Sequence, residues 1–475
     1  MPKPMPSGKF NQQFIGLDTH YSTADGSRKR RVHMDGAASP LAAQIALDTI
    51  QEVLPHYSNT HSYVHTSAQI STKALSWAYA QILDCLGADP SQYTAIFTGS
   101  GSTSGINRVA RGLADARPDR KVVLVSALEH HANDLPHRQF NNKVIHIPLQ
   151  GEGADQGPID LVELEKLLKQ HKGKVNYVAF SSVSNVTGII NPVREITRLA
   201  HEHDALVLVD AAQSIAHQQT RLSDDDELSE VDFLVFSGHK LYTPMAPGVL
   251  VAKRTLLEQL SGQDLGGGSV DDVSYYDYSL STVYPNKEQS GTPNIVGAIA
   301  LARVMQALKE FGFEKIEAQE QDLYAELNDA LLSIPHIRVY GDSKSLRISA
   351  IAFNHELIDH GLLAAILNDY YAIAVRNECF CAHPYVSSML KQELWELDLS
   401  TIPESKQTGY INRKRGMVRV STSLYNTSSD VDELIKALHE INCNYETLSE
   451  QYTPCDDGSY RHNSFTVDWR QQLNW

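Results

Sequence analysis

Val231-Asp232-Phe233-Leu234-Val235-Phe236-Ser237-Gly238-His239-Lys240 is the stretch on which the fold turns. Its apolar and aromatic run reads as a buried strand. The run stops at Ser-Gly-His-Lys, and Tyr242-Thr243-Pro244 follows as a loop signal. A lysine delivered at the end of a buried strand is uncommon, because desolvating an ammonium is costly. A desolvated Lys has a lowered pKa and becomes an amine nucleophile toward aldehydes. A lysine that merely snorkels to solvent is the other reading of the tetrapeptide alone.

Outward from this stretch the chain alternates. Short apolar strands are expected at 95–97, 122–125, 175–180, 205–209, 233–236 and 249–252, with amphipathic helices between most of them, as at 161–169 and 193–203. That rhythm predicts an α/β fold with a mainly parallel sheet covered on both faces. In such sheets a ligand sits at the carboxyl ends of the strands. Polar residues gather at those ends: His130 and His131, Ser184 and Asn185, Asp210 and Gln213, then Ser237, His239 and Lys240. Four successive strands ending this way mark a site.

Thr98-Gly99-Ser100-Gly101-Ser102-Thr103-Ser104-Gly105 follows the first of these strands, and a helix is expected from Ile106. Small residues, hydroxyls and a helix N-terminus can cradle a phosphate. The loop has neither the Gly-Lys-Ser/Thr of a Walker loop nor a Gly-x-Gly-x-x-Gly. Earlier, Asp35-Gly36-Ala37-Ala38-Ser39-Pro40 reads as a tight turn, with a helix from Pro40 to about Leu54 and another from Gln69 to Leu86. After about Phe311 the rhythm changes to long helices and fewer strands (346–353, 372–375), which suggests a smaller α+β domain. Residues 390–415 read as charged and irregular, and the last thirty or so as polar.

Composition restricts the function. The 475 residues allow two or three domains, and 42% hydrophobic content suffices for a large core. A net charge of -16 argues against nucleic acid and anionic membrane surfaces as partners. Five cysteines (Cys85, Cys379, Cys381, Cys443, Cys455) are too few and too scattered for a disulfide framework, so a reducing, cytoplasmic setting is expected. The N-terminus lacks a signal-peptide core, and no apolar run approaches the ~20 residues of a membrane span. Arg28-Lys29-Arg30-Arg31 reads as a solvated basic cluster. His56, His61 and His65 lack zinc-type spacing, and no metal is expected.

Assembled, the parts are an amine for an aldehyde (Lys240), an anion cradle, a carboxylate able to keep a pyridine nitrogen protonated (Asp210), and an imidazole able to stack on a ring (His130). Pyridoxal phosphate needs this set. Asp210 also reads as a helix cap ahead of Ala211-Ala212-Gln213.

From Asp35 to about Ile441 the chain resembles the class V aminotransferase family, fold-type I pyridoxal-phosphate enzymes. Within it the chain is most similar to the SUF-like cysteine desulfurases and selenocysteine lyases. The resemblance is carried by Asp-Gly-Ala-Ala-Ser (35–39), Val-His-Thr-Ser-Ala-Gln (64–69), Glu-His-His-Ala-Asn (129–133) and Val-Ser-Asn-Val-Thr-Gly (183–188). Leu-Val-Asp-Ala-Ala-Gln (208–213), Phe-Ser-Gly-His-Lys-Leu-Tyr (236–242), Gly-Thr-Pro-Asn (291–294) and Ser-Leu-Tyr-Asn-Thr (423–427) continue it.

The resemblance implies a seven-stranded-type sheet in a large cofactor domain (35–310), a small domain (311–445), a lead-in (1–34) joining the small domain, and a C-terminal extension (446–475). It implies that Lys240 holds the cofactor, Asp210 pairs with its ring nitrogen, His130 stacks on the ring, and Asn185 and Gln213 face its hydroxyl side. Ser102, Thr103, Ser237 and His239 would bind the phosphate, with Thr292 from the partner subunit of a homodimer. Arg419, with Arg376 and Asn185, would bind the substrate, and Cys381 would hold sulfur as a persulfide taken from L-cysteine. A sulfur-acceptor protein is a further implied partner. The loop ahead of Cys381 departs from the family's Arg-x-Gly-His-His-Cys: it reads Arg376-Asn377-Glu378-Cys379-Phe380-Cys381. Ser62 stands where this branch has an Arg. The alternative is a lyase, epimerase or aminotransferase acting on another amino-acid-like substrate.

Overall fold

The structure is a computed structural model that describes residues 10–473 except 61, 141–142, 224, 262, 349 and 391–399. Seven strands form the large sheet: β1 (Tyr93–Thr98), β2 (Val122–Ser126), β3 (Lys143–Ile147), β4 (Val175–Ser181), β5 (Leu206–Asp210), β6 (Phe233–Ser237) and β7 (Gly248–Lys253). Their order is β1-β7-β6-β5-β4-β2-β3. The pairs from β6 to β3 are parallel, and β7 runs antiparallel to both of its neighbours. The expected mainly parallel sheet is therefore present, with one reversed strand.

The strands are continuous apolar runs because both faces are covered. Leu234 and Phe236 of β6 enter one core, with Ile196 and Ala200 of the helix Val193–Glu202. Phe233 and Val235 enter the opposite core, with Ile106, Val109 and Leu113 of the helix Gly101–Ala116. Register then brings the site together. Ser181 lies opposite Asp210, Asp210 opposite Val235, and Gly248 lies between Thr98 and Ser237. The carboxyl ends of β1, β4, β5 and β6 thus meet at one edge.

A second core contains Leu327, Ile351, Phe353, Leu363, Val420 and Leu434, and Val32 and Met34 from the start of the chain join it. Its sheet has the order Ile337–Val339, Ala350–His355, Met417–Ser421, Arg376–Glu378, all antiparallel. Val32–His33 pairs in parallel with Ile373–Ala374.

Several expectations change. The helix expected from Pro40 begins at Gln44 and ends at Val53, because Ala43 and Gln44 first donate their N–H groups to Tyr242 and Gln13. The next helix begins at Thr66, where His65 accepts the Ala68 N–H. Most of the 98–105 loop is helix: Gly101–Ala116 is continuous, so Ser102 and Thr103 occupy its first turn. The edge strand β3 was hidden by its partial exposure, since a half-wet run lacks a buried strand's signature.

The segment 390–415 is not irregular throughout. Residues 391–399 lie outside the described residues, and Glu404–Lys414 is a helix. The polar C-terminal stretch contains a hairpin, Tyr452–Pro454 with Tyr460–His462. Tyr460 donates to Asp359, and Asn412 of the added helix donates to the Asp457 carbonyl. Residues 1–9, His61 and residues 474–475 also lie outside the described residues.

Candidate active site

A cavity of about 440 Å³ opens at the edge where the strands end. That is ample for a cofactor with a small substrate. Lys240, Asp210, His130, Asn185 and Gln213 line it, as do Ser102, Thr103, Ser237 and His239, and Arg376, Cys381 and Arg419 complete the expected set. Thr292 is the exception. It is exposed, accepts a hydrogen bond from Asn59 and borders a neighbouring cavity with His239.

Lys240 ends a single 3-10 turn after β6. The residue is half-buried and lines the cavity. Burial lowers its pKa to about 8, opposed by the Asp210 carboxylate. At neutral to mildly basic pH the amine can therefore both lose and regain a proton. Burial pushes the Asp210 carboxyl upward, and the Ala212 N–H that it accepts at 3.0 Å only partly offsets this. Asp210 is thus a cap and a cavity carboxylate together. His130 has its pKa lowered to about 4, first by burial and then by Lys240, so it is a neutral imidazole. Its Nδ1 accepts the Ala132 N–H at 3.0 Å, which fixes the ring.

At the other end, residues of the first turn of Gly101–Ala116 line the cavity. The Ser100 N-cap supplies no side-chain cap, and the Ser102 N–H donates to Ser237 Oγ at 2.9 Å. Space here is tight. A Cβ on Gly101, which sits at φ +58°, would meet Ser237 Oγ at 2.6 Å, and one on Gly248 would meet the Gly101 carbonyl at 2.1 Å. A helix N-terminus with hydroxyls around it is suited to a phosphate. The residues present fit pyridoxal phosphate: a lysine amine, an anion cradle, and a buried carboxyl that makes no ion pair among the described residues.

Arg419 lies buried on the central strand of the smaller sheet. Its Nη1 donates to the Asn185 carbonyl at 2.7 Å and its Nη2 to Asp35 at 3.0 Å, while its Nε is buried with no partner among the described residues. The guanidinium stands 4.8 Å from the centre of the Phe380 ring. Asp35 escaped the sequence reading. Its signal was its place directly ahead of the Gly36-Ala37-Ala38 turn, whose Ala37 carbonyl accepts from Gln213 at 2.8 Å.

Cys381 is exposed at the cavity mouth, whereas Cys379 is buried and its thiol is pushed up to about 11 by burial. Glu378, Phe380 and Cys381 all have positive φ (85°, 53° and 55°), a cluster of left-handed residues without glycine. Such strain persists only where neighbours hold it. Asn185 Nδ2 donates to the Phe380 carbonyl at 2.8 Å and the His131 N–H to the Cys381 carbonyl at 2.7 Å. Among the described residues, no cluster of His, Cys, Asp and Glu could hold a metal ion. No helix there is long and apolar enough to cross a membrane.

Residues 32–434 match the family model of class-V aminotransferases. The chain belongs to the class-V aminotransferase family. The family is pyridoxal-phosphate-dependent, so this member of it is an enzyme of that cofactor. It is 33% identical over 415 residues to a probable cysteine desulfurase of Halalkalibacterium halodurans, covering 86% of this chain and 92% of the relative. It is 31% identical over 419 residues to a cysteine desulfurase of Shigella sonnei, covering 86% and 93%. The solved structure of a cysteine desulfurase from Thermococcus onnurineus superimposes with a TM-score of 0.75 at 28% identity, covering 87% of this chain and 94% of that one. One from Escherichia coli gives 0.72 at 27% identity, covering 94% and 99%. The fold of this family member is the fold-type I arrangement expected from the sequence.

Proposed function

We propose that this chain is a cysteine desulfurase: it takes the sulfur of L-cysteine onto Cys381 and leaves alanine. One observation carries the reading. An exposed cysteine lines the same cavity as a half-buried lysine, a buried carboxylate and a buried arginine whose Nε–H has no partner among the described residues. When bound, pyridoxal phosphate supplies an aldehyde for the substrate's amino group and a ring that withdraws electrons from the carbons beside it.

This chain's own residues do the rest. The first turn of Gly101–Ala116, with Ser102, Thr103, Ser237 and His239, would hold the phosphate. Asp210 would pair with the ring nitrogen. Neutral His130 would stack on the ring, and Asn185 and Gln213 would meet its hydroxyl side. Arg419 binds the substrate carboxylate, with Arg376 beside it at the mouth. Lys240 Nζ takes a proton from the substrate and returns it. The Cys381 thiolate attacks the substrate sulfur. A sulfur–sulfur bond forms, the carbon–sulfur bond breaks, and its electron pair leaves with carbon, which takes a proton to become the alanine methyl. Cys381 is left as a persulfide, so no external oxidant is needed.

The exposed position of Thr292 beside the His239 cavity supports a homodimer in which Thr292 completes the partner subunit's phosphate site. The exposure of Cys381 supports transfer of its sulfur to an acceptor protein or thiol.

Incubating the cofactor-loaded enzyme with L-cysteine should give alanine with no ketoacid, and peptide mass spectrometry should find one added sulfur on Cys381. Full-rate sulfide release by a Cys381→Ala variant, with no persulfide on the native enzyme, would overturn the assignment. Pyruvate, a ketoacid or a racemised amino acid from a substrate panel would move it to the lyase, aminotransferase or epimerase reading.

A further inference from the structure

Beside Cys381 stand two histidines that the reaction above leaves unused. His131 Nε2 and His383 Nδ1 are 2.9 Å apart, and their rings stack with centroids 4.7 Å apart at 19°. The His383 N–H also approaches His131 Nε2, at 3.4 Å. His131 lies next to the imidazole that covers the ring, and its own N–H holds the Cys381 carbonyl at 2.7 Å. One ring therefore reaches across from the cofactor side to the residue two places beyond the nucleophile.

We infer that His131 and His383 form a positioning pair that holds the strained Cys381 turn against the cavity, taking over from the glycine and histidines missing ahead of the cysteine. This deepens the desulfurase reading and rests on it. The turn carries three non-glycine residues at positive φ, so it reverts to relaxed backbone unless tied. Its other ties are the Asn185 amide on the Phe380 carbonyl, the Arg419 guanidinium over the Phe380 ring, and a turn bond from the Ala382 N–H to the Cys379 carbonyl at 2.8 Å. The first two act on Phe380 and the third closes the turn at Ala382. Past Cys381 the histidine pair ties His383, and Tyr385 and Ser388 are held further along by Thr187 and Gln156.

The pair also has a chemical limit. One proton between two imidazole nitrogens makes a hydrogen bond, whereas two protons place like charges at contact distance. The groups facing His131 are His383, Asp134, Arg138 and, 6.3 Å away ring to ring, His130; those facing His383 are His131, Arg415 and Glu378. Asp134 favours a proton on His131, but it is itself held by Arg138 and His146 and offsets the burial only in part. Both histidines are shifted downward, first by burial and then by neighbouring positive charge. The pair stays intact through neutral pH and fails only in acid.

The test compares the cofactor-loaded native enzyme with His383→Ala and His383→Gln, whose amide can donate to His131 Nε2. Amide hydrogen exchange over residues 378–384 should speed up about two- to tenfold in the alanine variant, the worth of one hydrogen bond, and return toward native in the glutamine variant. Single-turnover transfer of sulfur from L-cysteine to Cys381 should slow by a similar factor in the alanine variant, with KM unchanged. Exchange over the same residues, corrected for its intrinsic pH dependence, should speed up in acid in the native enzyme and not in the glutamine variant. An alanine variant with native exchange and a native pH profile overturns the inference. Should the native enzyme make no persulfide, the desulfurase reading fails, while the exchange data still decide whether the pair ties the turn.

Discussion

Replacing Arg419 by lysine tests the site at its most specific contact. The arginine spends Nη1 on the Asn185 carbonyl and Nη2 on Asp35, and keeps a buried Nε–H unspent. Lysine keeps the charge but carries its donors on one atom, so it cannot span both partners and still face a carboxylate in two places. The loss is one charge-assisted hydrogen bond, about 1.5–3 kcal/mol. At about 1.4 kcal/mol per factor of ten, KM for L-cysteine should rise roughly 10- to 150-fold. The contact is the same in ground and transition states, so kcat should hold. Steady-state alanine formation reads both constants. Cysteamine, which lacks the carboxylate, should compete equally well with both enzymes. A rise in KM below about threefold, or an equal loss of cysteamine binding, would refute the role of Arg419.

Asp210→Asn keeps an oxygen for the Ala212 N–H and removes the acid, so the fold should survive while kcat drops by about 10²-fold or more; near-native turnover would place Asp210 outside the chemistry. His137, buried between Tyr177 and Asn133, has its pKa lowered to about 4. The unfolded chain binds this proton near the ordinary value of 6.5 while the folded chain does not, so stability is lost as pH falls from about 6.5 to about 4. Denaturant melts across that window should be flatter for His137→Gln, and an unchanged slope would be the contrary result. Gly188 sits at φ +70°, and a Cβ there would lie 2.2 Å from the Ile348 carbonyl oxygen. Gly188→Ala should cost about 2 kcal/mol or more and disturb Asn185 as well, read as a lower melting temperature with a reduced kcat.

What the sequence disclosed, it disclosed through burial. β4, β5 and β6 are wet on neither face, so their apolar runs could hardly be misread, and the residues that end them were placed correctly at one edge. The half-exposed β3 left no such run. The helix start at Gly101 was obscured because Gly, Ser and Thr are poor helix formers; the turn is held from outside by Ser237. The helix Glu404–Lys414 and the C-terminal hairpin dock largely through polar contacts such as Tyr460 with Asp359, so no apolar face announced them. The left-handed turn at Cys381 was invisible in a segment with no glycine to signal it. The Arg419–Asp35 pair joins positions 384 apart in sequence, beyond the reach of any local pattern.

The pairing of Val32–His33 with Ile373–Ala374 also sets an order of assembly. Arg30 meets Asp430 across 400 residues of chain, and Val32 and Met34 complete a core whose other members begin at Leu323. At roughly 5–20 residues per second on the ribosome, the start of the chain waits about 20–80 seconds for those partners. The large sheet, whose strands all lie between Tyr93 and Lys253, is synthesised in the interval and can form first. The last event is then the closing of a very long loop, with a matching entropic cost. Arg419 lies on a strand made only after that interval, so a nascent chain can gather the cofactor-side residues well before it can grip a substrate.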